Sequence, residues 1–319
     1  MLDGADRRAS VRAETPCVAR AAWCYGSAIV NVCEWVLMSS SVAGSAPPAG
    51  EPRVTAIIIA YKSRPLVLDL MQVVPEDVAV VVVDNSPEDV LRGALMAARP
   101  GAAYRHCPEN LGFGSAANLG ASLARTEFIA ILNPDVAMAP DTIARCVAQL
   151  EADPGLAAVG EIRGMRISRW LVSDYLTGAF LVMRAAALRA VGGFDDDFFL
   201  YFEDTDLSVR LREAGYRIAR SDAVPHHRDG HSVVEGETHL EERRWLLGAS
   251  ARLFMRKRGW SRIALWSLWH VVRQGLAEWR HHGSRARLDG FWQSRNDLPG
   301  CLRDCALTTG RRRARSIDA

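Results

Sequence analysis

The sequence lacks the features that mark fibrous, disordered or disulfide-stabilised proteins. It shows no internal repeat, and its 319 residues are 49% hydrophobic and 24% charged, which excludes a fibrous or disordered chain. The seven cysteines are scattered, and Cys301 and Cys305 have no second pair that would complete a zinc site. We therefore expect reduced thiols in a cytoplasmic protein whose length allows a sizeable core.

An uninterrupted apolar segment of membrane-spanning length is also missing. Residues 21–38 are mostly apolar, but Asn31 and Glu34 interrupt them, and a charge at the middle of a bilayer is costly. No small-residue cleavage site follows convincingly. We expect residues 1–37 to be a mis-assigned start or a disordered tail, within an N-terminal extension that reaches residue 50.

The net charge is small, but it is unevenly distributed along the chain. From Leu240 to the end there are 17 Lys/Arg against 7 Asp/Glu, a balance of +10, whereas the remainder carries 22 against 30, or −8. A basic C-terminal region on an acidic body predicts an anionic partner surface. A nucleic-acid partner would rest on the GRRRARS tail, and such tails are usually only solvated, so none is expected.

Between residues 54 and 150, short apolar runs alternate with helical patterns. Strands are predicted at 54–60, 78–83, 103–106 and 127–132. This order predicts an α/β fold with a mostly parallel central sheet and flanking helices, which binds ligands at the carboxyl ends of its strands. Later elements are predicted as a strand at 175–184, a helix up to about 214, and amphipathic helices at 240–258 and 260–280.

Polar clusters follow three of the predicted strands. Asp135, in Asn133-Pro134-Asp135, is suited to hold Mg²⁺ or Mn²⁺ against a leaving diphosphate, although it is equally suited to cap the next helix. Asp84 can accept the ring N–H of a uracil or thymine base, or simply form a turn. Asn110, Gly112 and Gly114 precede a helix whose N-terminus attracts phosphate.

Two further clusters lie beyond residue 200. Glu203, Asp204 and Asp206 repel one another, which raises at least one pKa and suits a general base; acids also favour the first turn of a helix for structural reasons. The pair His226-His227 offers imidazole ligands for a divalent metal, although loop histidines are more often polar surface.

Taken together, these motifs resemble family-2 glycosyltransferases of the GT-A fold, and most of all their rhamnosyltransferase-like branch. The resemblance covers roughly residues 54–232 in the expected order. Its segments are IIIAYKS (57–63), VVVVDNS (80–86), ENLGFGSAANLG (109–120), AILNPDV (130–136), the long block 176–218 and VPHHRDGHS (224–232). The long block is highly specific.

The resemblance implies a role for each matching position. The nucleotide would contact residues of the first half of the domain: Ala60, Tyr61, Asp84, Asn110, Gly112 and Asn118. The metal would be held by Asp135 and one histidine, for which His226 is preferred to His227. Asp204 would deprotonate the acceptor hydroxyl with support from Glu203, and Gly178 and Asp206 would lie on the acceptor side.

The reaction so implied is an inverting transfer by direct displacement, with a divalent metal (Mg²⁺ or Mn²⁺) as cofactor. The donor would be dTDP-rhamnose or a UDP-sugar, and the acceptor a glycan or polyprenyl-linked glycan of cell-wall polysaccharide. Two positions depart from the family pattern: Lys62 stands where asparagine is common, and Asn133 replaces the first acid of the metal motif. The stretch between Val159 and Tyr175 would face donor sugar or acceptor.

The predicted domain organisation has three parts. Residues 51–235 form the GT-A glycosyltransferase domain, divided into a nucleotide-binding part (54–150) and an acceptor and catalytic part (151–235). Residues 236–319 form a basic, tryptophan-rich helical region. Its segment 240–280 suits peripheral attachment to the cytoplasmic face of the membrane, or else packs its tryptophans onto the domain.

Other function classes remain as alternatives at this point. The chain could be a non-catalytic protein that binds nucleotide sugars or polyanions on a degenerate scaffold, but Asp84, Asp135 and Asp204 are all intact. A nucleotidyltransferase would need a Gly-rich loop with Arg and Lys directly after the first strand. Here that loop is AYKSRP, which is a poor match.

Overall fold

A computed structural model of the chain describes residues 51–167, 170–223, 225–227, 237–259 and 261–293. All of them belong to one compact unit that spans Ser45–Ala319. The predictions for the N-terminal extension 1–50, and the predicted domain boundary at residue 235, lie outside the described residues.

A seven-stranded sheet with the order β3-β2-β1-β4-β7-β6-β8 forms the centre of the fold. Strands β3, β2, β1 and β4 are parallel neighbours, whereas β7 runs opposite to both β4 and β6. A separate two-stranded sheet joins β5 to β9. The strands are β1 (Val54–Ala60), β2 (Ala79–Asp84), β3 (Ala103–His106), β4 (Phe128–Leu132), β5 (Val136–Ala137), β6 (Leu156–Ile167), β7 (Trp170–Arg184), β8 (Arg217–Arg220) and β9 (His226–His227).

Helices cover both faces of the large sheet. Because side chains alternate along a strand, Ile58 of β1 enters one core cluster and Ile57 the other. The described helices are α1 (Arg64–Met71), α2 (Arg92–Ala98), α3 (Phe113–Leu123), α4 (Thr142–Ala152), α5 (Ala185–Ala190), α6 (Glu203–Glu213), α7 (Glu237–Arg258), α8 (Arg262–His282) and α9 (Ala286–Gln293). This arrangement confirms the predicted mostly parallel sheet with flanking helices and a helical C-terminal extension.

Small residues let helix α3 lie close to the sheet. Ala116, Ala117 and Ala121 are buried on it, and a Cβ added to Gly120 would come within 2.3 Å of a methyl carbon of Ile57. The helix begins at Phe113, directly after Gly112. The close packing therefore fixes the position of the loop that opens the helix at the carboxyl edge of the sheet.

The β6–β7 hairpin is longer than the sequence predicts. Strand β6 was not predicted, and β7 begins at Trp170 rather than Tyr175. The last pair that β7 makes with β4 joins Phe180 to Leu132, so the hairpin residues before it extend past the end of β4. The pairing of β7 with β6 has two irregularities. They break the alternation of apolar and polar residues that would have indicated β6 in the sequence.

Helix α7 packs against the segment that precedes α6. Leu246, Leu253 and Phe254 of α7 share a core cluster with Phe198 and Phe199. In the part of the chain that the structure describes, no helix combines the length and the apolar character needed to cross a bilayer.

Candidate functional site

Asp84 and Asp135 emerge at the same edge of the central sheet. Asp84 is the last residue of β2 and pairs with Ala60, the last residue of β1. Strand β4 lies on the other side of β1, runs parallel to it and pairs its last residue, Leu132, with Ile58. Asp135 follows three residues later. Both carboxylates therefore stand at the carboxyl ends of parallel strands, where open α/β sheets bind ligands.

Asp204 reaches this edge through strand β7. Because β7 runs antiparallel to β4, its early residues lie beyond the carboxyl end of β4, and Asn133 N–H donates to Ala179 O at 2.8 Å. The neighbouring residue, Gly178, donates its N–H to Asp204 Oδ2 at 3.0 Å. Strands β2 and β7 are three strand spacings apart, or about 14 Å. Asp84, Asp135 and Asp204 are thus all located at the same edge of the sheet.

The surroundings of Asp84 fix its carboxylate. Its Oδ1 accepts the N–H of Ser86 at 3.0 Å, and its Oδ2 accepts the hydroxyl of Tyr104 at 2.9 Å. Burial, Asp89 and Asp84 hold the pKa of Tyr104 above its usual range, so its phenol remains a donor. Ala60 is buried beside Asp84, and the half-buried Tyr61 ring lies 5.3 Å from Lys62 Nζ.

The predicted nucleotide wall at 110–118 includes residues that hold the protein together. Asn110 Oδ1 accepts the N–H of Gly112 at 3.0 Å and closes a local turn. The Asn118 side chain bonds to both the N–H and the carbonyl of Phe194, and also to Asp196 Oδ1. Its amide therefore joins α3 to the 194–196 segment, and its contact with the nucleotide stays a prediction.

Gly112 is required by the backbone that lies next to it. Its φ is +82° and its ψ is 177°, a conformation almost restricted to glycine. A Cβ there would stand 2.3 Å from the carbonyl oxygen of Phe199. The sequence predicts that Gly112 lets a ligand come close to the backbone. In the structure, the segment before α6 comes close to Gly112.

Asp135 lies next to the strand pair that carries the two histidines. Its side chain is 3% exposed. Directly after it, β5 pairs with β9 so that Val136 faces His227 and Ala137 faces His226. The pairing brings the backbone of both histidines beside Asp135, the predicted metal ligand. The side chains of the two histidines lie outside the described part of the structure. Among the described residues alone, no three His, Cys, Asp or Glu side chains cluster as a metal site.

Asp204 and Glu203 begin helix α6 but face different surroundings. Asp204 is partly exposed, and its Oδ1 accepts the N–H of Thr205 at 2.6 Å in addition to the Gly178 bond on Oδ2. Glu203 is 5% exposed and lies against Gly114 of α3; its Oε2 has no hydrogen-bond partner among the described residues. Asp204 is thus the acid that is open to a substrate.

Burial is the main cause that raises the pKa of both acids. For Asp204, hydrogen bonds from Gly178 and Thr205 oppose the effect of burial. For Glu203, the charge of Asp204 adds to burial and holds the pKa well above the usual range. Asp204 therefore ionises before Glu203, and its raised pKa makes it a stronger base than an ordinary aspartate. The raised pKa expected for this acidic cluster is confirmed.

Asp206, which the sequence predicts on the acceptor side, is held by internal ion pairs. Its side chain is 1% exposed. Oδ2 accepts Arg210 Nε at 2.6 Å, and Oδ1 accepts Arg258 Nη2 at 2.5 Å. Asp206 thus joins α6 to α7, which the acidic run in the sequence did not reveal, and its acceptor-side role stays a prediction.

Sequence reasoning missed the polar residues that the β6–β7 hairpin brings near Asp204. The charge of Arg163 partly opposes the effect of burial on the pKa of Asp204. Burial, followed by the charge of Asp204, raises the pKa of Tyr175 to about 12. Glu161 accepts hydrogen bonds from Arg163 and Thr177. The sequence predicted that 159–175 faces the substrate. Because strand β6 was not predicted, the side chains of this region that lie near Asp204 could not be identified.

We expect Glu203→Gln to change how stability depends on pH. Above the ordinary value of 4.5 the unfolded chain releases this proton, whereas the folded protein keeps it. The folded state then binds more protons, so stability falls as pH rises through the folded pKa. Glutamine keeps the shape without the charge. Melting temperatures from about pH 5 to about pH 9 should show a growing advantage of the variant.

The control for this experiment is Glu88→Gln, at an exposed position. It should follow the wild-type curve throughout. Parallel curves for Glu203→Gln and wild type would show that Glu203 gains no proton affinity on folding.

Two family models match the chain across this site. The model described as Glycosyl transferase family 2 matches residues 55–203, and the one described as Glycosyl transferase family group 2 matches residues 157–285. Together the matches run from strand β1 to the loop between α8 and α9.

Similar proteins of known activity are glycosyltransferases of Mycobacterium tuberculosis. The N-acetylglucosaminyl-diphospho-decaprenol L-rhamnosyltransferase is 35% identical over 99 residues, which cover 30% of this chain and 31% of that protein. The pre-mycofactocin glycosyltransferase is 28% identical over 210 residues, which cover 57% of this chain and 44% of that protein. The matches thus span less than half the length of these relatives.

A solved structure shares the fold. The mannosyltransferase PcManGT from Pyrobaculum calidifontis, in complex with GDP-Man and Mn²⁺, superposes with a TM-score of 0.52 at 22% identity, covering 89% of this chain and 86% of the other. This likeness identifies the sheet and its helices as a GT-A fold. The family matches include the ends of β2 and β4, which carry Asp84 and precede Asp135, and the first turn of α6, which carries Asp204. The chain belongs to glycosyltransferase family 2.

Proposed function

We propose that this glycosyltransferase inverts the sugar it moves from a nucleoside-diphosphate donor to an acceptor hydroxyl, by direct displacement with Asp204 as the base. The observation that supports it most is the placement of Asp84, Asp135 and Asp204 along one sheet edge, with Asp204 fixed by the Gly178 N–H. Along this edge, Asp84 would bind the base, Asp135 would bind the metal and Asp204 would act as the general base, in the order in which a nucleotide sugar and its acceptor would need them.

The donor half of the site is suited to hold a diphosphate through a divalent ion. Asp135 supplies an oxygen ligand, and β9 brings His226 and His227 beside it. One carboxylate and one imidazole leave further positions for diphosphate oxygens, which fits Mg²⁺ or Mn²⁺. The ion would neutralise the charge of the departing diphosphate. Asp84 would accept the ring N–H of a uracil or thymine base.

The acceptor half carries out the proton transfer. Asp204 removes the proton from the acceptor hydroxyl while the oxygen of that hydroxyl forms a bond to the anomeric carbon. The bond between that carbon and the diphosphate oxygen breaks, and the nucleoside diphosphate leaves with the electron pair. No covalent enzyme intermediate forms, so the configuration at the anomeric carbon inverts. Glu203 lies behind Asp204, and burial together with the charge of Asp204 raises the pKa of Glu203, so it gives up its proton less readily than Asp204 does.

For the donor sugar we propose rhamnose on dTDP, with UDP-sugars as the second candidate. The support is the similarity to a rhamnosyltransferase that acts on a decaprenol-linked sugar. For the acceptor we propose a glycan or a polyprenyl-linked glycan, and the decaprenol-linked sugar in the name of the same relative supports this choice.

The donor proposal is tested by thermal shift with nucleoside diphosphates and nucleotide sugars, with and without Mn²⁺ or Mg²⁺. Wild type should be stabilised most by a dTDP or UDP ligand together with metal. Asp135→Ala should lose the metal-dependent part of this shift and keep the part seen in chelator. Asp141→Ala, at an exposed site between β5 and α4, is the matched control. Equal shifts in Asp135→Ala and wild type would remove Asp135 from the metal site.

We also propose that the outer face of α8 rests on an anionic membrane surface. Leu265, Trp269, Leu276 and Trp279 are exposed and fall within about a quarter of the helix circumference. Val271 and Ser267, on the opposite side, are buried against the protein. An apolar face of this kind, when basic residues border it, binds at the headgroup boundary.

Basic residues border this outer face of α8. Arg273 lies 5.1 Å from the ring of Trp269, and Arg285 lies 5.4 Å from the ring of Trp279. The sequence of α8 contains one acid, Glu278, which pairs inward with Arg287 at 2.6 Å. Positive charge and exposed tryptophan together favour anionic lipid headgroups over a neutral surface.

Flotation with liposomes tests this surface. The protein should co-migrate with anionic liposomes at low salt, and less so at high salt or with neutral lipid. The double variant Trp269→Ser/Trp279→Ser should lose most of the co-migration. Leu123→Ser, at an exposed apolar position on α3, should retain it. Absence of wild-type co-migration at low salt would contradict the proposal.

A further inference from the structure

Two residues directly before the catalytic acids have a strained backbone. Tyr201 and Phe202 both have a φ of +70°, in the left-handed region that bulky residues rarely adopt. Phe202 is the residue from which α6 begins, and its carbonyl accepts the N–H of Asp206 at 2.8 Å. Such a turn persists only where surrounding contacts stabilise it.

Helix α7 supplies contacts to each residue of this turn. Ser250 is fully buried, and its hydroxyl donates to the carbonyl of Leu200 at 2.8 Å. Arg243 Nε donates to the hydroxyl of Tyr201 at 2.8 Å. The rings of Phe202 and Phe254 lie 5.4 Å apart between centroids. The turn therefore takes both polar and aromatic partners from the C-terminal helices.

Helix α7 also holds the chain on both sides of the turn. Lys257 Nζ pairs with Asp195 at 2.7 Å and with Asp197 at 2.6 Å, before the turn. Arg258 pairs with Asp206, after it. Because these ion pairs lie at one end of α7 and Arg243 near the other, the helix spans the whole segment that presents Asp204.

We propose that α7 is a positioning element for the catalytic base, and that Ser250 is its main positioning residue. Through Leu200, Ser250 keeps Tyr201 and Phe202 in the left-handed turn that aims Asp204 at the Gly178 N–H. This inference rests on the proposed role of Asp204 as the base. It extends that role to a helix that follows the sheet in the chain and that acts on Asp204 only through the turn.

Steady-state kinetics provide the first test. Ser250→Ala removes the hydroxyl and leaves the side chain otherwise small and buried. We expect kcat to fall by about 10-fold to 100-fold, because displacement of a catalytic group by about 1 Å has an effect of this size, with donor KM unchanged. Tyr201→Phe should produce a smaller fall. Ser267→Ala, a fully buried serine on α8, should keep wild-type kcat and is the matched control.

A second readout follows Asp204 without turnover. Labelling with ¹³C-carbonyl threonine and ¹⁵N-glycine selects two pairs in this sequence, Thr177–Gly178 and Thr309–Gly310. The Gly178 amide donates to Asp204, so its chemical shift should titrate with that carboxyl group and stop titrating in Asp204→Asn. In Ser250→Ala the midpoint should move towards 3.8, the ordinary value for aspartate, because a loosened turn admits water.

The outcomes separate the two proposals. An unchanged midpoint and unchanged kcat in Ser250→Ala would overturn the positioning role. A shifted midpoint together with normal turnover in Asp204→Asn would support the positioning of Asp204 but refute its role as the base. A loss of folded protein is recognised by lost chemical-shift dispersion, in which case Tyr201→Phe carries the same two measurements.

Discussion

Asp204→Asn should reduce sugar transfer by about 10²-fold to 10⁴-fold, the range over which a positioned general base accelerates a reaction. The amide keeps the size of the side chain, and its oxygen can still accept the Gly178 N–H. It cannot take a proton from an acceptor hydroxyl. The loss should appear in kcat, measured as initial rates of transfer with saturating donor.

Donor binding should survive this substitution. Asp204 lies about three strand spacings from Asp84, so calorimetry with a nucleoside diphosphate and metal should give a dissociation constant close to the wild-type value. Glu213→Gln replaces an exposed acid at the other end of the same helix and serves as the control. Near-normal kcat in Asp204→Asn would refute the assignment of the base.

Gly112→Ala should destabilise the fold by about 2–6 kcal/mol. This range is the sum of two costs: a side chain on a residue with positive φ, and overpacking against the neighbouring backbone. The new Cβ would stand 2.3 Å from the carbonyl oxygen of Phe199. The Phe113 N–H donates to that same oxygen at 2.9 Å, so any shift also breaks this bond. We expect a fall in melting temperature of about 5 °C or more, measured by thermal unfolding.

Gly93→Ala is the matched control for this glycine. Gly93 lies in helix α2, and a Cβ there would meet no atom within 4 Å. Alanine favours a helix by about 0.8–1 kcal/mol over glycine, so this variant should melt at or above the wild-type temperature. A Gly112→Ala protein as stable as wild type would show that the segment around Phe199 moves aside freely, and that Gly112 serves the ligand alone.

The first half of the fold was predictable from local pattern. Strands β1, β2 and β4 are short, predominantly apolar and bounded by turn residues, so the sequence alone shows both their extent and the polar edge they share. Asp84 and Asp135 could therefore be placed at the ligand edge before their surroundings were known. Their spatial order came from the structure, in which β1 lies between β2 and β4.

The second half depended on contacts between distant residues, which a local pattern does not record. Nothing near Asp206 in the sequence indicates that Arg258, 52 residues later, neutralises it. The hydrogen bond between Asn118 and Phe194 was hidden in the same way, because 76 residues separate the two partners in the sequence. The left-handed turn at Tyr201 was also hidden, because aromatic residues normally avoid that conformation and helix α7 compensates for it.

In the proposed reaction, the β6–β7 hairpin separates the acceptor part of the enzyme from the donor part. The donor would be recognised by loops after β1, β2 and β4, whose strands are buried in the core on both faces. The acceptor would be recognised by a hairpin whose outer part extends past β4. Lengthening or shortening that outer part would leave the sheet register intact. A single scaffold could thus acquire a new acceptor by altering one ribbon while keeping the same activated sugar.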